Sequence, residues 1–146
     1  MVDQIDTEAT TEALNAILEA ELSGVVRYTH YSLMINGPNR IPLVEFMKAQ
    51  ATESLVHAQT VGEILTGLGG LPSLRVAPVA ETTGYAIHDL LEESLHHERQ
   101  AVGLYRALLD VVEGRSIYLE EFARAQISTE ELHQLELQKM LRDFAP

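Results

Sequence analysis

None of the 146 residues is a cysteine. That excludes disulfides, thiolate metal sites, iron-sulfur clusters and a rubredoxin-type electron-transfer module. Any metal must be held by carboxylate, imidazole and water. Basic residues are also scarce: ten Lys and Arg stand against twenty-two Asp and Glu, for a net charge of -12. The ten are scattered along the chain, so no basic patch for nucleic acid forms, whereas an acidic surface suits solubility and attracts cations. No apolar run is long enough to span a bilayer, and Met1-Val2-Asp3-Gln4-Ile5-Asp6 has neither the basic nor the apolar region of a leader. The expectation is one cytoplasmic domain over 1–146, large enough for a real core, with no membrane or nucleic-acid partner.

What the chain does contain is helical periodicity, punctuated by a few breakers. Four helices are predicted, at about 10–35, 43–68, 85–112 and 116–144. The first carries Leu14, Leu18, Glu21, Val25, Tyr28 and Ser32 on one stripe and stops at Asn36-Gly37-Pro38; the second begins after Pro42. Gly69 to Gly84 is the only long irregular stretch, and Glu113-Gly114-Arg115 makes a tight turn. No alternating run of useful length occurs, so the fold class is all-α. Short links within each pair and one long link between pairs give two antiparallel hairpins joined by a crossover.

One spacing pattern occurs twice. Glu21 is followed seven residues later by Tyr28 and thirty-six later by His57; Glu98 is followed seven later by Tyr105 and thirty-five later by His133. In the second copy Glu130 and His133 stand i, i+3 on one helix face, whereas the first copy has Ser54 before His57. A carboxylate on an apolar stripe needs a partner, because burying it unpaired costs several kcal/mol or shifts its protonation. A single Glu-x-x-His on a helix is ordinarily a solvated face. Four helices that each bring such a group to mid-length instead match a known recipe for a dinuclear metal centre: one Glu from each of two helices and Glu-x-x-His from each of the others. Tyr28 and, with less support, Tyr105 are placed to hydrogen-bond ligating carboxylates. His88, His96 and His97 read as surface histidines, Gly69-Gly70 as a crossover turn, and Glu92-Glu93 and Glu120-Glu121 as solvated faces.

Ala20-Glu21-Leu22 with Tyr28, His57-Ala58, Gly70-Leu71-Pro72-Ser73-Leu74 and Glu130-Glu131-Leu132-His133 together resemble a bacterioferritin-type member of the ferritin-like family. The resemblance implies a ferritin-like four-helix bundle in which Glu21 and His57 serve one iron, Glu98 and His133 the other, and Glu130 bridges. It also implies oxidation of ferrous iron by oxygen or peroxide and storage of the ferric product inside a homo-oligomer. The chain departs from this pattern in three places. The family's second bridging glutamate falls on Ser54, leaving Glu53 next door as a substitute ligand. The haem-ligating methionine falls on Leu55, so no haem is expected. Thirteen residues follow His133, too few to complete the last long helix and add the short fifth helix of cage-forming members.

The leading expectation is therefore a bacterioferritin-like iron-binding protein with a di-iron centre, or a partly filled one, ferroxidase activity and a role in iron homeostasis. It is expected to form at least a dimer. Replacing Ser54 by Glu is expected to tighten binding of two irons. One rival is a rubrerythrin-like peroxidase or other di-iron oxidase, and another is a degenerate bundle with a structural or binding role.

Overall fold

The computed structural model describes residues 4–82 and 84–143. They form four helices: α1 (Thr7–Met34), α2 (Arg40–Gly67), α3 (Ile87–Val112) and α4 (Ile117–Asp143). Asp6 caps α1, its carboxylate accepting from the Ala9 amide at 3.1 Å, and Ser116 Oγ accepts from the Leu119 amide at 3.2 Å at the start of α4. Helix α2 begins at Arg40, ahead of the expected start. Pro42 lies in its first turn, where the missing N–H has no intrahelical partner in any case, so this proline does not delay the helix. Gly84 and Tyr85 lie outside α3, which starts at Ile87. With 27 residues, α4 matches the other three in length. Among the described residues no helix is long and apolar enough to cross a membrane.

The α1/α2 and α3/α4 hairpins are linked by the segment between Gly67 and Ile87, whose described residues are irregular and tied back to α1. Asn15 Nδ2 donates to the Leu71 carbonyl at 3.1 Å, Asn15 Oδ1 accepts from the Ser73 amide at 2.8 Å, and the Ala77 amide donates to the Glu19 carbonyl at 3.0 Å. The core has two apolar clusters. One contains Leu14, Ile17, Val61, Leu65, Tyr105 and Leu119; the other contains Tyr28, Met47, Leu90, Leu91 and Leu137. On each helix a buried ionisable or polar group falls between them: Glu21 on α1, Ser54 and His57 on α2, Glu98 on α3 and Glu130 on α4. The apolar stripes thus seal a polar layer on both sides.

Candidate metal centre

Glu21, Glu98 and Glu130 are 3 to 4% exposed, and three carboxylates so placed in an apolar core require compensation. Two triads supply it, Glu21 with His57 and Glu130, and Glu98 with Glu130 and His133. Within each triad one ligand atom per residue lies within 4.8 Å of the others. Glu130 is common to both, which is the position of a bridging carboxylate. The five residues expected from the sequence are brought together by all four helices.

The two imidazoles are oriented alike. His57 Nδ1 lies 2.7 Å from Glu21 Oε2 and 3.3 Å from Glu130 Oε1, and His133 Nδ1 lies 3.4 Å from Glu130 Oε2 and 4.0 Å from Glu98 Oε2. His133 Nδ1 is buried without a hydrogen bond of good geometry, so it is a nitrogen that a bound ion would satisfy. The donor set of three carboxylates and two imidazoles, with no sulfur, fits iron and other first-row metals.

The two tyrosines exchange partners between the halves of the chain. Tyr28 donates to Glu98 Oε1 at 2.5 Å, and Tyr105 donates to Glu21 Oε2 at 3.0 Å. Each fixes the carboxylate of the opposite copy, so Tyr105 has the same role as Tyr28. Burial and the nearby Glu98 and Glu21 charges raise the pKa values of Tyr28 and Tyr105 respectively, which keeps both hydroxyls as donors.

Burial and the neighbouring carboxyls and imidazoles set the acidity of each group in the cluster. Burial and a hydrogen bond shared with Glu130 raise Glu98 well above the ordinary carboxylate range, and burial raises Glu21 against the opposing bond from His57. Burial would raise Glu130 too, but the adjacent His133 and His57 imidazoles outweigh it and pull this carboxyl below its usual range. Burial would lower His57, yet its bonds to Glu130 and Glu21 push it up to about 10, and bonds to Glu130 and Glu53 bring His133 to about 10. A metal ion held by these residues would compete with protons for them, so its uptake would release protons.

Several neighbours differ from expectation. His97 is buried, not on the surface; its ring meets Tyr28 edge-on at 5.7 Å between centroids, and burial followed by the Arg27 charge lowers it to about 4. His96 is exposed as expected, and His88 is half-buried with Nε2 3.7 Å from Glu92. Glu93 is not a solvated residue, since it accepts from Tyr31 at 2.8 Å and from Thr82. Ser54 is buried against α1 at Gly24. A glycine inside a helix, one turn from Glu21 on its stripe, was the sequence signal for this close approach. Nothing comparable marked His97, because its neighbour Glu98 already occupied the inward position. Leu55 is 42% exposed on the outer side of α2. Glu53 reaches the histidines from their outer edge, away from the three carboxylates.

The ferritin-like domain pattern matches residues 11–145. The fold is similar to that of a ferritin-like, diiron-carboxylate protein from Bacillus anthracis strain Ames, at 23% identity and TM-score 0.88, over 93% of this chain and 97% of that one. It is also similar to a dodecameric thioferritin, the bacterioferritin-related protein of Bacteroides fragilis, at 24% identity and TM-score 0.90, over 98% and 90%. In sequence, a nutrient stress-induced DNA-binding protein from Nostoc sp. PCC 7120 is 26% identical over 114 residues, 73% of this chain. The chain spans 62% of that relative's length.

Proposed function

The chain belongs to the ferritin-like domain family, and from that premise we propose that it is a bacterioferritin-like protein that binds and oxidises ferrous iron. The observation that carries this reading is the pair of buried triads sharing Glu130. Glu21 with His57 would hold one ferrous ion, Glu98 with His133 the other, and Glu130 both. Two ferrous ions supply two electrons, enough with two protons to convert dioxygen to hydrogen peroxide, or hydrogen peroxide to two waters. Tyr28 and Tyr105 keep the terminal carboxylates oriented while the substrate ions arrive and leave. The net charge of -12 favours cation uptake and opposes contact with a phosphate backbone, which supports iron over DNA as the partner.

Peroxide in place of dioxygen as oxidant is the reading closest to a rubrerythrin-like peroxidase, and the paired tyrosine donors support keeping it. Anaerobic ferrous titration followed by addition of either oxidant tests both. The parent chain is expected to take up two irons, and His57→Ala and His133→Ala each to lose one with helical content intact. Unchanged titrations in both variants would remove the assignment, and the faster of the two oxidants identifies the co-substrate.

A further inference from the structure

Both histidines direct Nδ1 at the buried carboxylates, which leaves both Nε2 atoms on the outer edge of the centre, where they meet the same side chain. Glu53 Oε2 lies 3.2 Å from His133 Nε2, and Glu53 Oε1 lies 3.7 Å from His57 Nε2. One carboxylate therefore spans two imidazoles from two helices. Its own helix explains how. Glu53 precedes His57 by one turn on α2, while its second oxygen extends across to α4. Among the described residues no Cα of α2 lies within 8 Å of a Cα of α4, so these helices communicate through long side chains at the site. Glu53 to His133 and Glu130 to His57 are two such links.

We propose that Glu53 is a positioning residue that holds both imidazoles with Nδ1 turned inward and supplies, from outside the ligand cage, the negative charge that Ser54 lacks. This rests on the dinuclear reading above and replaces the expectation that Glu53 enters the cage as a ligand. A metal-bound imidazole donates its remaining ring N–H to a carboxylate, which fixes the tautomer and makes the ligating nitrogen more basic. Two divalent ions bring four positive charges and Glu21, Glu98 and Glu130 contribute three negative ones. Glu53 is the fourth. Because its side chain is 35% exposed, it performs this task without the cost of a fully buried carboxylate.

The test compares the parent chain with Glu53→Gln, using cobalt(II) as probe and reading both stoichiometry and affinity from its visible absorption. The zinc-loaded proteins then report each histidine tautomer by long-range proton-nitrogen NMR. The parent is expected to bind two cobalt ions per chain with both histidines protonated at Nε2. Glu53→Gln should still bind two, each about 10- to 100-fold more weakly, with Nε2 protons that exchange faster with solvent. A drop to one cobalt would show that Glu53 is itself a ligand and overturn the proposal. Unchanged affinity and exchange would overturn it while leaving the dinuclear reading intact. A parent that binds fewer than two cobalt ions removes that reading and this one with it.

Discussion

Two ferrous ions carry four positive charges, and at the scale of single residues the question is what position 54 contributes to balancing them. A glutamate there looks like a repair on sequence grounds alone. The packing around Ser54 points the other way. Ser54 Oγ lies 2.8 Å, and His97 Nε2 2.9 Å, from the point a Gly24 Cβ would occupy, so α1, α2 and α3 already meet closely here. A longer side chain at 54 competes for this space with α1 at Gly24 and with the buried His97 ring, and overpacking of this kind costs about 1–3 kcal/mol. Ser54→Glu alone is therefore expected to lower the unfolding free energy of the metal-free chain by that amount, without tightening the second ferrous ion. Combined with His97→Ala, which vacates the space, the same carboxylate should tighten it. Denaturation and anaerobic titration of the single and double variants decide the matter. A single variant as stable as its parent, with tighter iron, would return the argument to charge alone.

Helices add a constraint that no residue shows by itself. Alanine normally favours a helix interior over glycine by about 0.8–1.0 kcal/mol. At Gly24 that preference should reverse, because a Cβ there meets Ser54 Oγ and His97 Nε2, both nearer than 3.0 Å. At Gly62 on α2 a Cβ meets nothing within 4 Å. Gly24→Ala is expected to destabilise the metal-free chain by about 1–3 kcal/mol, and Gly62→Ala to stabilise it by up to about 1 kcal/mol. Urea unfolding of the two variants measures both, and equal shifts would mean that α1 and α2 do not depend on Gly24 for their approach. The same contrast explains what could be read from the sequence. Glu21, His57, Glu98, Glu130 and His133 were legible because spacing of seven, thirty-five and thirty-six residues fixes which groups share a helix face and depth. The partner exchange of Tyr28 and Tyr105, the inward ring of His97 and the outward reach of Glu53 were not. Each depends on how one helix is rotated against another, and periodicity within a helix carries no information about its neighbour. Pro42 misplaced the start of α2 for a different reason: a breaker in the interior of a helix is neutral in its first turn.

For the whole molecule, the centre and the surface impose separate requirements. All five proposed ligands belong to one chain, so the proposed centre takes no ligand from a second subunit. The outer surface is less self-sufficient: Leu33 is 70% exposed on α1, Ile41 79% and Val56 51% on α2, and Leu74 101% on the crossover. Each aliphatic side chain moved from water into an interface yields about 1.5–3 kcal/mol before association costs are met. A closed homo-oligomer, dimer at least, is the expected state if these side chains share an interface. Iron storage would further require an assembly that encloses volume; the thioferritin of similar fold from Bacteroides fragilis is dodecameric. Sedimentation at micromolar concentration should therefore show more than one subunit, and a clean monomer would contradict this. Val56→Glu is expected to lower the assembled mass while leaving helical content and two-ion binding per chain unchanged, since Val56 points away from the core on the helix that carries His57 inward. If metal stoichiometry fell together with mass, the centre would depend on the neighbouring subunit, and the assignment of all its ligands to one chain would fail.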